Sequence, residues 1–446
     1  MAIHPIEFRY GTPEMKTVFS EEHRFRCIIE AEIALARAEG ILGMIPREDA
    51  DIIAEKAHQA SLERAKEIED EIHHDMMAVV RAISEVCGHA GRWIHYGATS
   101  NDILDTATGL QIRDALNILE NKLKNILKVL LDRAEKTRYL VCIGRTHGQH
   151  GVPTTYGLRF AIWASEIGRH IERLIQMRPR VCVGQLTGAV GTQAALGEKG
   201  MEIQEEMMKI LNISSVDVSN QIIQRDRYAE YFCFLANVAT TLDKIGIEIR
   251  SLQRTEIGEV EEAFGAKQVG SSTMPHKRNP IKSEQVCGLA RIIRSSVEPA
   301  FQNNTLWDER DLTNSSPERI LFPEATILTD HILKIMTSVL EGLNLKEDRI
   351  RQNLTMLHGI NMAESVMIEL TKKGMGRQEA HEIIREKSMQ ALATHQPLTS
   401  LLSNTPEVTR YIPGSEIEKL LDPESYIGTS VQQVERVVHK LRTLYL

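Results

Sequence analysis

Apolar residues recur at alternating intervals of three and four residues along two long stretches of the chain. In one stretch they occupy positions 228, 231, 235, 238, 242, 245, 249 and 252, and in the other they are Ile112, Leu116, Leu119, Leu123, Ile126 and Leu130. A period of about 3.5 residues is typical of helices that pack lengthwise against other helices. Because 25 helical residues extend roughly 37 Å, the period indicates a bundle of long helices rather than a small globule.

The composition also favours helices. Only 5% of the residues are aromatic, and proline, which interrupts helices, is absent between positions 46 and 153, 179 and 275, and 323 and 397. Further helices are predicted over residues 20–39, 47–66, 70–87, 155–177, 281–297 and 317–343. We therefore predict an all-α fold with a helical N-terminal domain (1–103), a central domain of long bundled helices (104–346) and a helical C-terminal domain (347–446).

Charge and cysteine content exclude several classes of protein. The 446 residues include 53 Lys and Arg against 61 Asp and Glu, a net charge of −8 with both signs interspersed. A general nucleic-acid binder, which needs a basic face, is disfavoured. The six cysteines form no C-x-x-C pair, so idle reduced thiols are expected rather than a zinc site. The sequence shows neither a signal peptide nor an apolar run that could span a membrane, which predicts a cytoplasmic protein.

The segment GSSTMPHKRNP, residues 270–280, breaks the helical pattern. Asn279 suits a helix N-cap and Pro280 the first helical position, so free backbone N–H groups and the positive end of a helix dipole are expected beside this loop. Lys277 and Arg278 add positive charge. The segment therefore predicts a site for an anion such as a carboxylate. An ordinary surface loop is the alternative.

The segment RTHGQH, residues 145–150, contains two histidines, a residue type that exchanges protons near neutral pH. His147 is therefore a candidate acid or base. A metal bound by His147 and His150 is the alternative, although the sequence lacks the nearby cysteines or the H-E-x-x-H frame that zinc sites use.

Two shorter segments also contain candidate binding groups. His73, His74 and Asp75 are consecutive, and the carboxylate could orient a neighbouring histidine. Thr99 and Ser100 offer hydroxyl donors at the start of a predicted helix. Taken singly, each histidine is more often a structural residue.

The segment RDLTNSSPER, residues 310–319, resembles the start of a helix. Ser316 suits the N-cap and Pro317 the first helical position. Because Arg310 and Arg319 flank this start, the segment is a candidate phosphate site. A capped helix with no ligand is the alternative.

Taken together, these motifs resemble those of a known family. The loop GSSTMPHKRNP resembles the signature of the fumarase/aspartase superfamily, and its HKRNP variant, with HHD, RTHGQH and SSPERI, resembles the adenylosuccinate lyase family within it. The resemblance implies a homotetramer whose active sites combine three chains. It also implies the elimination of fumarate from adenylosuccinate, giving AMP, and from the succinyl-carboxamide ribotide SAICAR, giving AICAR. No metal and no organic cofactor are implied.

The resemblance also implies roles for individual residues. Ser271 corresponds to the general base and His147 to the general acid. His74, His95, Lys277, Asn279 and Glu284 correspond to supporting positions. The residues that correspond to substrate-binding positions are Arg9, Tyr10, His73, His74, Asp75, Thr99, Ser100, Gln221, Arg310, Ser315 and Arg319.

Two other functions are compatible with the same fold. A sister lyase acting on argininosuccinate, aspartate or malate would typically have other residues in place of His276, Lys277 and Arg278 in the loop, and would not need the phosphate-binding SSPERI segment. A structural protein, like the lens crystallins of this superfamily, would not need Ser271, His147, Lys277 and Glu284 together.

Overall fold

The computed structural model describes residues 3–265, 273–274 and 276–446. Its helices are, in chain order, α1 (Pro5–Phe8), α2 (Pro13–Val18), α3 (Glu21–Ile41), α4 (Arg47–Lys56), α5 (Leu62–Ile72), α6 (Asp75–Cys87), α7 (Ser100–Lys136), α8 (Tyr156–Val181), α9 (Gly200–Leu211), α10 (Asp226–Leu252), α11 (Ile281–Ser295), α12 (Val297–Gln302), α13 (Ser315–Gly342), α14 (Glu347–Thr355), α15 (Ala363–Lys372), α16 (Arg377–Thr394), α17 (Leu398–Ser403), α18 (Pro406–Thr409), α19 (Gly414–Leu420) and α20 (Ser430–Tyr445). The prediction of a mostly helical fold is confirmed.

The two apolar stretches lie on α7 and α10, as their period predicts. Leu116, Leu123 and Ile126 on α7 are completely buried, and so are Leu242 and Ile249 on α10. Side chains spaced by three and four residues line one face of a helix. Burial of that face explains why the pattern is strict along both helices.

Short strands accompany the helices. They are β1 (Val141–Thr146), β2 (Gln149–Thr155), β3 (Val183–Gly184), β4 (Ser214–Ser215), β5 (Val260–Glu261) and β6 (Asn344–Leu345). β1 and β2 form an antiparallel hairpin, β3 pairs with β4 in parallel, and β5 pairs with β6 antiparallel. Residues 145–150, which lie outside the predicted helices, form the ends of β1 and β2 and the turn between them.

Several predicted helices have different bounds in the structure. The helix predicted over 47–66 is divided into α4 and α5, because the Ser61 side chain accepts a hydrogen bond from the Arg64 backbone and begins a new helix. The helix predicted over 70–87 begins only at Asp75, since His73 ends α5 in the left-handed conformation (φ 56°). The starts predicted at Pro280 and Pro317 are displaced to Ile281 and Ser315, differences of one or two residues that are common at helix ends.

The chain folds into two compact units, each built from three separate stretches of sequence. Unit 1 comprises residues 1–123, 170–242 and 288–334, and unit 2 comprises residues 124–169, 243–287 and 335–446. The division into domains 1–103, 104–346 and 347–446 stays a prediction. Of the helices in the described part of the chain, none is long and apolar enough to cross a membrane.

Candidate active site

Unit 1 contains a cavity of about 560 Å³ whose lining includes Asp75, Arg310, Ser315 and Arg319. The beginning of α13 supplies Ser315 and Arg319, and the beginning of α6 supplies Asp75. An Nη atom of Arg319 lies 3.1 Å from the Asp75 carboxylate in a pair that is largely exposed. The structure therefore brings together four of the residues that the sequence places around a nucleotide.

A buried ion-pair network forms part of the cavity wall. Arg225 donates to both carboxylate oxygens of Asp105, at 2.7 and 2.9 Å, and to both of Glu318, at 2.8 and 3.2 Å. Burial opposes the charge of Arg225, but these two carboxylates outweigh it and raise its pKa. Burial also raises the pKa of Glu318, although Arg225 acts in the opposite direction. The positive charge of Arg225 is therefore compensated within the protein.

Two other arginines on the cavity wall have amide partners instead of carboxylates. Arg24 donates to the Gln111 side-chain oxygen at 3.2 Å, and Arg310 donates to that of Gln221 at 3.2 Å. The Nε of Arg310 is buried and has no hydrogen-bond partner among the described residues. Burial is the main cause that lowers the pKa of both guanidinium groups. An anion in the cavity would stabilise these two cations.

His95 forms a buried pair with a carboxylate. Its Nδ1 lies 2.7 Å from Glu32, and its backbone N–H donates to the same side chain at 3.0 Å. Burial opposes protonation, but the hydrogen bond and charge of Glu32 outweigh it and raise the pKa of His95. The nearby Thr99 is held by its backbone N–H, which donates to Asp102 at 2.9 Å. These contacts orient the segment that precedes α7.

His147 lies at the tip of the β1–β2 hairpin. Thr146 pairs with Gln149, so His147 and Gly148 form a two-residue turn, with φ values of 54° and 74°. Turns of this kind match the twist of the strands and favour glycine at such angles. The turn presents the His147 side chain to solvent.

The signature loop is only partly within the described residues. Ser271 lies outside them, and so do residues 266–270, 272 and 275. Lys277 is exposed, Asn279 is half-buried, and Glu284 is exposed in the first turn of α11. His147 and these three residues belong to unit 2, whereas the cavity residues belong to unit 1.

The remaining predicted residues lie elsewhere in unit 1. Tyr10 stacks at an angle against His331, with ring centroids 5.3 Å apart, and Arg9 is exposed beside it. His74 caps α6, with its Nδ1 accepting from the Met77 backbone at 3.3 Å. His73 is exposed at the end of α5, and Ser100 begins α7.

Sequence reasoning missed several residues of the cavity. Arg24, Asn101, Arg225 and Glu318 all line it, and the Asn101 Nδ2 is buried and has no partner among the described residues. Glu318 lies within the SSPER motif, and Asn101 directly follows Ser100, so both residues could have been found from their place in or beside a motif. For Arg24, on the long helix α3, and Arg225, immediately before α10, the sequence contains no comparable signal.

Comparisons with known proteins agree with these motifs. A family model described as lyase matches residues 7–294, and one described as adenylosuccinate lyase C-terminus matches residues 359–437. Curated adenylosuccinate lyases from Archaeoglobus fulgidus and Pyrococcus horikoshii are 54% and 53% identical, each over 98% of both chains. A solved fumarate lyase from Mesorhizobium sp. BNC1 is 32% identical with a TM-score of 0.88, covering 96% of this chain and 98% of its own. A solved 3-carboxy-cis,cis-muconate lactonizing enzyme from Pseudomonas putida is also 32% identical with a TM-score of 0.88, covering 98% of this chain and 99% of its own.

Proposed function

Because the chain belongs to the adenylosuccinate lyase family of the fumarase/aspartase superfamily, we propose that it eliminates fumarate from two purine nucleotides. From adenylosuccinate the other product is AMP, and from SAICAR it is AICAR. In each reaction a C–H and a C–N bond of the succinyl group break and a C=C bond forms. The reaction needs a base, an acid and a site for an anion, and side chains of this chain can supply all three.

Ser271 is the proposed base, which removes a proton from the succinyl carbon beside a carboxylate. The carbanion that results spreads its charge into that carboxylate, where positive groups stabilise it. Lys277, Asn279 and the N-terminus of α11 are the groups of the same segment that suit this role. Glu284 in the first turn of α11 and His95 are proposed to support them.

His147 is the proposed acid, which gives its proton to the departing nitrogen. Its exposure at the hairpin tip leaves its ring free to meet a substrate. After fumarate leaves, the base holds one proton and the acid lacks one, so one proton must pass between them through solvent before the next turnover.

The observation that carries the substrate assignment is the arginine-lined cavity of unit 1. Arg24 and Arg310 are cations without carboxylate partners among the described residues, and Ser315 and Arg319 line the same space. A phosphate with two negative charges would bind these groups through charge-assisted hydrogen bonds. A lyase for argininosuccinate or aspartate would have no use for such a site.

We further propose a cytoplasmic homotetramer whose active sites combine residues of three chains. Half-exposed isoleucines on long helices, Ile162 on α8, Ile247 on α10 and Ile292 on α11, support burial against other copies. If sites are shared, mixing two strongly impaired variants, Ser271→Ala and His147→Ala, gives more activity than either variant alone, because some sites in a mixed tetramer contain neither change. Mass spectrometry verifies that mixed tetramers have formed. If these mixed tetramers are no more active than the single variants, the proposal that sites are shared between chains is refuted.

Substrate preference is tested with the purified protein and a panel of succinyl compounds. Fumarate release is expected with adenylosuccinate and SAICAR, and not with argininosuccinate, aspartate or malate. Activity confined to argininosuccinate, aspartate or malate would overturn the assignment, and so would the absence of fumarate release from every compound in the panel.

The base is tested with two neighbouring serines. Ser271→Ala is expected to lower kcat by at least about 100-fold, the usual contribution of a general base, whereas Ser272→Ala is the matched control and retains most of it. The reverse result would assign the base to Ser272.

A further inference from the structure

Residues 259–262, with the sequence Glu-Val-Glu-Glu, form a short acidic segment around β5. Glu259 is completely buried and accepts hydrogen bonds from Arg145 at 2.5 Å, Tyr156 at 2.7 Å and Asn353 at 2.9 Å. Burial alone would raise the pKa of Glu259, but these hydrogen bonds outweigh it and lower the pKa. Glu259 is therefore a buried anion with donors arranged around both oxygens.

The Arg145 bond connects Glu259 to the hairpin that carries His147. Arg145 lies on β1 two residues before His147 and pairs across the hairpin with His150. Because the turn has only two residues, the direction of the His147 side chain follows from the orientation of the strand ends. Arg145 is held at one strand end by a charge-assisted bond, which is among the stronger and more directional contacts in proteins.

The same segment also contacts the end of the signature loop. Glu261 accepts from the Arg278 guanidinium at 2.5 Å and forms an ion pair with Lys346. Glu262 accepts from the backbone N–H and the hydroxyl of Ser283, at 2.8 and 2.5 Å, in the first turn of α11. The acidic segment therefore bonds to three elements, which are the hairpin, the end of the loop and the start of α11.

We propose that the acidic segment is a positioning element for the reaction, in which Glu259 orients the hairpin with His147 and Glu261 orients the end of the signature loop. This inference rests on the proposed function, in which His147 is the acid. Glu259 is buried among its own donors, so it acts through Arg145 and not on the substrate. Misplacing a catalytic group by about 1 Å can cost on the order of 100-fold in rate, so loss of this support should lower kcat more than it changes KM.

A double-mutant cycle tests the proposal on the intact enzyme. Glu259→Gln keeps the shape of the side chain and removes its charge, and we expect kcat to fall at least about 10-fold with KM changed by less than about threefold. In the His147→Ala background the same change should alter kcat by less than about twofold, because groups that act as a unit are not additive. Glu416→Gln, which removes an ion pair with Lys373 elsewhere in unit 2, is the matched control and should leave kcat unchanged.

The possible outcomes separate the two proposals. If Glu259→Gln slows the His147→Ala enzyme by the same factor as the unaltered enzyme, Glu259 acts independently of His147 and the positioning role is overturned. If His147→Ala alone retains full activity, the assignment of the acid fails and the positioning role fails with it. Should Glu259→Gln not fold, Arg145→Lys takes its place in the cycle, since it keeps the charge and removes the directional bond.

The loop contact has its own variant. Glu261→Gln is expected to lower kcat in the His147→Ala background as well as in the unaltered enzyme, because its effect passes through Arg278 and not through the hairpin. An unchanged kcat for Glu261→Gln in both backgrounds would overturn this half of the proposal.

Discussion

Glu39 leads to a quantitative prediction about stability. It lies near the end of α3, its side chain is completely buried, and neither carboxylate oxygen has a hydrogen-bond partner among the described residues. Burial and the charge of Glu32, seven residues earlier on the same helix, raise the pKa of Glu39 to about 8. At neutral pH the folded protein therefore holds this side chain as a neutral acid.

The consequence for stability follows from proton linkage. The unfolded chain releases the Glu39 proton near pH 4.5, whereas the folded protein keeps it until about pH 8. Between these values the unfolded state binds fewer protons, so stability falls as pH rises. The free energy of unfolding should decrease by about 1.4 kcal/mol per pH unit over this interval, a total of about 5 kcal/mol.

Glu39→Gln isolates this contribution, because glutamine has the shape of the protonated acid and does not titrate. Urea denaturation at equal protein concentration should give similar stabilities for variant and unaltered protein at pH 5. At pH 8 the variant should be more stable by several kcal/mol. Glu30→Gln, at an exposed position of α3 beside His58, is the control and should show no such divergence. Parallel pH dependence of Glu39→Gln and unaltered protein would show that the folded carboxyl is ionised, which would refute the reasoning.

Three further predictions concern other parts of the protein. Arg319→Ala should weaken AMP binding by about 10-fold to 100-fold, which corresponds to the loss of one charge-assisted hydrogen bond, and should change stability little. Isothermal titration calorimetry measures the AMP affinity, and an unchanged affinity would contradict the prediction. Asp105→Asn leaves the buried Arg225 with one fewer carboxylate and should lower the free energy of unfolding by about 3–5 kcal/mol, as measured by urea denaturation. A decrease below about 1 kcal/mol would contradict a strong contribution of the Asp105–Arg225 ion pair. Burial raises the pKa of Cys27 and Cys142 to about 12, so both should resist iodoacetamide at pH 8 until urea is added, as mass spectrometry would show.

The long helices could be predicted from sequence because their period extends over many turns. α7 and α10 each bury one face along their length, and burial of that kind imposes a regular pattern. The hairpin could not be predicted in the same way. β1 has only six residues, and its burial does not alternate, since Cys142 and Ile143 are both buried. Its pairing with β2 depends on a two-residue turn at His147 and Gly148, and a histidine is an uncommon residue at a positive φ.

The predicted site residues that the structure brings together lie in compact motifs. Arg310, Ser315 and Arg319 lie within ten residues of one another and line one cavity. The partners that orient such residues come from distant parts of the chain. Glu32 is 63 residues from His95, and Glu259 is 114 residues from Arg145. A single sequence contains no signal that joins such pairs, because their contact exists only after the helices have packed.

The net charge of −8 illustrates the same limit in electrostatic terms. Four arginines line the cavity, but their charges are not equivalent. Arg225 is compensated by two buried carboxylates, and Arg319 is paired with Asp75 where water screens both. Arg24 and Arg310 are instead held by amide oxygens, and burial disfavours their charge. In the cavity, carboxylates pair with Arg225 and Arg319 but, within the described part of the chain, not with Arg24 or Arg310. A chain with a negative net charge can therefore still bind an anion. The arginines without a carboxylate partner among the described residues define where the anion would bind.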